Sequence, residues 1–230
     1  MNFHYTNLET CHEATGVVVV IDVIRAFTNA AFAFSRGAKE IHPVSTVEEA
    51  LQFKAQTSNS LACGEVGGLP PEGFDFGNSP TQTKTLDLTG KIIIQRTGAG
   101  TQGITRSVKA ETMLAASLVV TSATIDYIRK LAPEQVTFVV TGQMEAGRGD
   151  EDLACAEYFA ALLSGGRPDP APYIERVVRS RDASFHFDPN RPEFPISDID
   201  LCTSIDKFDF AMLVTKENGR HVMRAVSAVT

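Results

Sequence analysis

The chain has 230 residues, 43% of them apolar, and a formal net charge of −7. That length suits one large α/β-sized unit or one unit with a small appendage. The acidic balance, with no basic run longer than a pair, argues against a nucleic-acid partner held through its phosphates. Cys11, Cys63, Cys155 and Cys202 are far apart and form no C-x-x-C pair, which disfavours a zinc site or a disulfide scaffold. No apolar run approaches membrane-spanning length, so the expected setting is the cytoplasm, with no membrane partner.

After a short polar stretch from Met1 to Thr15, expected to be a first strand or arm, comes Val17-Val18-Val19-Val20-Ile21-Asp22-Val23-Ile24-Arg25-Ala26. Five successive β-branched residues predict a strand buried on both faces, as in a parallel sheet. Ala26 to Arg36 reads as a helix closed by Gly37. Ligands of open α/β sheets bind beyond the carboxyl ends of strands, where Asp22 and Arg25 fall. The same pair is equally consistent with a structural ion pair.

Glu40 to Val44 predicts a second short strand, followed by a helix opened by the capping box Ser45-Thr46-Val47-Glu48. Ser60 to Cys63 is a third strand ending at Gly64-Glu65. Residues 66–85 are rich in Gly and Pro and aperiodic, and a loop of this length usually serves a site. Lys91 to Gln95 is a fourth strand, Leu118 to Thr121 a fifth and Val136 to Val140 a sixth, with a helix from Ile125 to Leu131. A flexible loop is expected from Gly142 to Gly149. Asp150-Glu151-Asp152 then opens a helix whose acids suit its positive end. The alternation predicts a three-layer α/β/α fold with a mostly parallel sheet across residues 1–166. Residues 167–230 form a C-terminal segment with one helix around Ile174 to Arg181. Asn218-Gly219 there marks a β-hairpin that would add edge strands or form a small lobe, packed on the same domain.

Gly98-Ala99-Gly100-Thr101-Gln102-Gly103 fits G-x-G-x-x-G between a strand and a helix. No acid follows at the next strand end, at Thr121-Ser122-Ala123, to hold a ribose. The glycines therefore read as an oxyanion loop or as a plain tight turn. Asp22, Glu65 and Glu151-Asp152 each lie at a strand end or helix head, so in a parallel sheet they could converge. Converging carboxylates repel one another, and hard oxygen ligands without His or Cys suit Mg²⁺; separate helix caps are the alternative. Two other enzyme classes with an apolar strand ending in Asp fit poorly. Haloacid-dehalogenase phosphatases need a second Asp where Ile24 stands. Isochorismatase-like cysteine hydrolases need a nucleophile at a helix start, whereas Cys155 lies inside one.

Val20 to Ala26, Gly64-Glu65, Gly73-Phe74-Asp75-Phe76-Gly77-Asn78-Ser79-Pro80, Thr97 to Thr101 and Glu151 to Ala156 together resemble the successive motifs of the 2-phosphosulfolactate phosphatase family. The likeness spans about residues 15 to 165, and Asp206 to Val214 is similar to the family's C-terminal end. It implies Mg²⁺-dependent removal of phosphate from a phosphorylated small 2-hydroxy acid. Asp22, Glu65, Glu151 and Asp152 would hold the metal, with Asp22 and Arg25 in catalytic roles. Asn78, Ser79, Thr97, Gly98, Gly100 and Thr101 would meet the substrate, and self-association into a homo-oligomer stays open. Thr97-Gly98-Ala99-Gly100-Thr101 departs from the family's common Thr-Thr-Asn-Gly-Thr, and Val66 stands where an Arg often follows Gly-Glu. A degenerate homologue that binds an anionic metabolite without turning it over is the alternative function.

Overall fold

The structure is a computed structural model that describes residues 1–142 and 149–227. Nine strands form one sheet in the order β1-β7-β2-β6-β8-β9-β3-β5-β4. They span Asn2–Thr6 (β1), Gly16–Ile21 (β2), Glu40–Pro43 (β3), Ser60–Gly64 (β4), Ile92–Arg96 (β5), Ala110–Ala116 (β6), Gln135–Val140 (β7), Phe210–Glu217 (β8) and Arg220–Ser227 (β9). Within β1-β7-β2-β6 every pairing is parallel, and so is every pairing within β3-β5-β4. The hairpin β8–β9 joins the two groups through antiparallel pairings, to β6 on one side and to β3 on the other.

The α/β class and mostly parallel sheet read from the sequence hold, and the C-terminal hairpin does join the sheet. Its place is the interior, however, not an edge. The outer strands of the two parallel groups would otherwise expose unpaired backbone N–H and C=O groups, and the hairpin satisfies both. Met212 and Val214 face one core cluster, while Ala211 and Leu213 face the other. The turn is Asn218-Gly219, both at positive φ (50° and 81°), as a two-residue hairpin of this type requires.

The alternating faces of β2 explain the layers. Val18 and Val20 pack against Phe27, Ala30, Ala31 and Phe34 of helix α1 (Ala26–Ser35). That cluster also takes Met113 from β6, Met223 from β9, Ile41 from β3 and Ile93 from β5. Val17, Val19 and Ile21 point the other way, onto α5 (Thr121–Leu131) and α6 (Asp150–Leu163). Across the second group, Ala50 and Phe53 of α2 (Val47–Gln56) cover Ile94.

Two local expectations shift. In place of the strand expected at Leu118 to Thr121, the strand of this region is β6 (Ala110–Ala116), and Leu118–Val120 is a 3-10 turn whose three side chains are fully buried. Burial, not extended pairing, is what the apolar Leu-Val-Val triplet satisfies. The capping box is Thr46–Glu49, one residue later than expected: Glu49 N–H donates to Thr46 Oγ1 (3.1 Å) and Ser45 N–H to Glu49 Oε2 (2.9 Å). Among the remaining helices, α3 spans Pro80–Thr83, α4 Gly100–Arg106, α7 Ala171–Arg179, α8 Arg181–Ser184 and α9 Ser197–Cys202. The loop expected from Gly142 to Gly149 lies, at 143–148, outside the described residues.

Candidate active site

The carboxyl ends of β2, β4 and β5 open into a cavity of about 340 Å³. Asp22, Glu65 and the Thr97–Ala99 turn line one side, and Asp182, His186, Arg191 and Phe194 line the other. Arg25 and Asn78 also reach it.

Asp22 and Glu65 are held by main-chain donors. Asp22 Oδ1 accepts from Ala26 N–H and Oδ2 from Gly100 N–H, both at 2.8 Å. Glu65 Oε1 accepts from Gly98 N–H (2.5 Å) and Oε2 from Gly68 N–H (2.8 Å). The glycine loop does meet oxyanions, but at Gly98 and Gly100 they are the protein's own carboxylates. These two acids are the nearest anions, and they satisfy the loop donors expected to meet the ligand. Thr97 and Thr101 bond each other: Thr97 N–H donates to Thr101 Oγ1 (2.9 Å) and Thr101 N–H to Thr97 Oγ1 (3.2 Å). Gly100 is dictated by space, since a Cβ there would lie 2.8 Å from Asp22 Oδ2 and 2.9 Å from Ala26 Cβ.

Burial pushes the Asp22 carboxyl up to about 6, with the charges of Glu65 and Asp182 adding to it, while the Ala26 and Gly100 N–H groups pull it back. Burial also raises Glu151 to about 8, helped first by Asp182. Glu151 is almost wholly buried and its Oε2 has no hydrogen-bond partner. Asp152 is raised by burial and then by the charges of Glu151 and Asp22. Its oxygens are engaged: Oδ1 accepts from Val23 N–H (2.8 Å), and Oδ2 from Gly142 N–H (3.0 Å) and Thr141 Oγ1 (3.1 Å). Asp152 thus ties α6 to the ends of β2 and β7. The four acids expected to share one ion do not close on a single point. Among the described residues, no three Asp, Glu, His or Cys side chains are grouped tightly enough to hold a metal directly. Asp22 and Glu65 line the cavity together with Asp182; Glu151 and Asp152 stand behind them.

Arg25 is 5% exposed. Its Nη1 donates to Asp198 Oδ2 (2.9 Å) and Glu193 O (3.1 Å), its Nη2 lies 3.4 Å from Gly68 O, and its guanidinium sits 4.7 Å from the Phe194 ring centroid. The sequence offered a phosphate clamp or an ion pair at this position. The structure shows an ion pair that also lines the cavity, made with a distant acid on α9. Ser79 Oγ donates to the same carboxylate (Oδ1, 2.8 Å), as does Thr81 N–H (2.9 Å). Asn78 is different. It is buried, lines the cavity, and its Oδ1 has no partner among the described residues.

Sequence reading missed the opposite wall: Asp182, His186, Arg191, Phe194 and the anchoring Asp198. His186 is 4% exposed, Nδ1 lies 2.9 Å from Pro195 O, and Nε2 has no partner. The carbonyl can only accept, so Nδ1 carries the proton. Nε2 is then a free acceptor in the neutral ring, which burial favours by lowering the histidine pKa. The one available signal was Phe185-His186-Phe187, an aromatic–His–aromatic triplet within a Pro-rich segment.

An α/β fold with carboxylates gathered beyond parallel strand ends around a cavity is the arrangement of a small-ligand site in this class of protein. Family comparison narrows this: the family model for 2-phosphosulpholactate phosphatase matches residues 3–185. A Bacillus subtilis (strain 168) protein is 35% identical over 202 residues, covering 87% of each chain. A Thermotoga maritima protein is 39% identical over 198 residues, 83% of this chain and 85% of its own. One from Thermoplasma volcanium is 30% identical over 195 residues, 85% and 87%. All three are named "Probable 2-phosphosulfolactate phosphatase". The chain belongs to the 2-phosphosulfolactate phosphatase family, and with it to the phosphoric monoester hydrolases.

Proposed function

We propose that this chain is a Mg²⁺-dependent phosphatase that hydrolyses a phosphorylated 2-hydroxy acid, 2-phosphosulfolactate or a close relative. The observation that carries the reading is the cavity itself. It sets two family-motif acids, Asp22 and Glu65, beside the amide oxygen of Asn78, which has no partner among the described residues.

The donor chemistry fits Mg²⁺. Asp22, Glu65 and Asp182 offer carboxylate oxygens on one cavity, and their mutual repulsion helps raise the Asp22 carboxyl. Mg²⁺ keeps most of its water and needs only one or two carboxylates besides substrate oxygens, so a loosely grouped set suffices. When bound, the ion would neutralise charge on the phosphoryl oxygens. The protein's own contribution is positioning, where most of the catalytic effort in phosphoryl transfer lies. The N–H groups of Ala26 and Gly100 lower the Asp22 pKa against its burial and fix its direction; those of Gly68 and Gly98 fix the direction of Glu65. Asn78 supplies a polar contact that no described residue uses, and neutral His186 an acceptor for a water or hydroxyl proton.

Phosphate release from 2-phosphosulfolactate and from phospholactate, with Mg²⁺ or with EDTA, tests the reading. Release that requires the metal is expected. Tight binding of these esters without release in Mg²⁺ buffer would identify a non-catalytic metabolite-binding protein instead.

A further inference from the structure

A phosphorylated 2-hydroxy acid brings at least one more anionic group besides the phosphate, and the cavity is itself lined by three acids. That second group needs a cation. Two guanidiniums line the cavity, Arg25 and Arg191. Arg25 is committed: Asp198 neutralises it, and Nη1 and Nη2 both face protein carbonyls. Arg191 is committed only at Nε, which donates to Glu193 Oε1 at 3.1 Å. Its Nη1 and Nη2 have no hydrogen-bond partner among the described residues. The flat face of the guanidinium lies 4.3 Å from the Phe194 ring centroid and 4.7 Å from that of Phe185. The two rings are 5.7 Å apart, so they form a backing plate. A guanidinium restrained at Nε and stacked on rings presents a pre-aimed planar fork, the arrangement that matches a carboxylate with two parallel N–H···O bonds.

We infer that Arg191 is the specificity-determining residue of this site, binding the carboxylate of the phosphorylated hydroxy acid while the strand-end wall takes the phosphate. The assignment rests on the phosphatase reading for its substrate class. Arg191 itself lies beyond the residues matched by the family model, which end at 185.

The test compares phospholactate with its uncharged amide, 2-phospholactamide, in the wild type, Arg191→Gln, Arg191→Lys and Phe185→Leu. The wild type should prefer the acid. Arg191→Gln should raise KM for phospholactate about tenfold to a hundredfold, the range of a lost charge-assisted hydrogen bond. It should leave kcat and all amide kinetics within about threefold, erasing the preference. Arg191→Lys should recover part of it, and Phe185→Leu, which removes one backing ring but no charge, should fall between. Thermal melts identify any variant that fails to fold, in which case the other two carry the comparison. Equal losses on acid and amide, or a preference that survives Arg191→Gln, would overturn the assignment while leaving the phosphatase reading intact. If no ester is turned over, calorimetric binding of the same two probes in Mg²⁺ buffer decides. Acid-over-amide discrimination that Arg191→Gln abolishes keeps the subsite and retires the phosphatase reading; no discrimination, or no binding, sinks the subsite.

Discussion

The two walls of the cavity are built by different means. The strand-end wall carries acids, and main-chain N–H groups hold them: four amides, from residues 26, 68, 98 and 100, fix Asp22 and Glu65. The opposite wall, from 182 to 198, carries Asp182, His186, Arg191 and aromatic rings, and side-chain contacts hold much of it. Asp198 is its anchor, fully buried and taking Arg25, Ser79 Oγ and Thr81 N–H together. A wall fixed by backbone tolerates little change in shape, whereas one fixed by a single buried carboxylate can be loosened by one substitution. Chemistry common to a reaction suits the first, and discrimination among substrates suits the second.

Removing the central acid is the most severe way to break the strand-end wall. Asp22→Asn should lower turnover roughly 10³-fold or more, yet raise metal-free stability. The sign follows from the raised pKa. Between the ordinary 3.8 and about 6 the folded protein holds a proton that the unfolded chain has lost, so stability falls as pH rises through that window. Asparagine escapes this penalty, a gain of about 3 kcal/mol at pH 8, and melts in EDTA at pH 8 would show it. A metal-free variant less stable than wild type would make Asp22 a structural acid.

The opposite wall should break at its anchor. Asp198→Ala leaves the Arg25 guanidinium buried without its partner, at a cost of about 3–5 kcal/mol. Limited proteolysis should then cut first within 182–198, with the strand-end half resisting longer. Simultaneous loss of protection everywhere would show that the walls are not separable.

Gly100→Ala sharpens the contrast, because it changes no charge. The new methyl would crowd Asp22 Oδ2 and Ala26 Cβ. Overpacking of this kind costs about 1–3 kcal/mol, and displacing the carboxylate should cost about 10–100-fold in kcat. Kinetics beside a melting curve separates the two effects; unchanged kcat would mean that the direction of Asp22 is unimportant.

The smallest effect on turnover accompanies a pH slope in stability. Glu151, held at about 8 by burial with its ordinary value near 4.5, makes metal-free stability decline between those pH values as the folded state is forced to ionise. Glu151→Gln should flatten the melting profile from pH 6 to 8.5 without abolishing turnover. An unchanged slope would place the titration elsewhere.

The same contrast explains what could be read from the sequence. Asp22, Glu65 and the glycine loop each follow an apolar strand, so hydrophobic patterning announced both the strand and the site at its end. Arg191 sits in irregular, proline-containing chain with no period to fix its direction, and Asp198, on the short α9, takes its role from contacts with residues over a hundred positions away. Asp152 shows the reverse failure. It carries the same signature as Asp22, an acid at a helix head beside a strand end, but serves as an internal brace. The pattern specifies where a carboxylate goes, not whether an open side remains. The hairpin was legible and only its place in the sheet was not: Asn218-Gly219 encodes a local turn, whereas its pairing with β6 and β3 depends on strands formed far earlier in the chain.

That hairpin has a consequence for biogenesis. The two parallel strand groups become one sheet only through residues 210–227, the last to be synthesised among those described. Until they emerge from the ribosome, β6 and β3 each present an open edge to other chains, a hazard for a nascent protein. The keystone of the sheet is therefore laid after every other described strand, and closure of the sheet waits for residues 210–227.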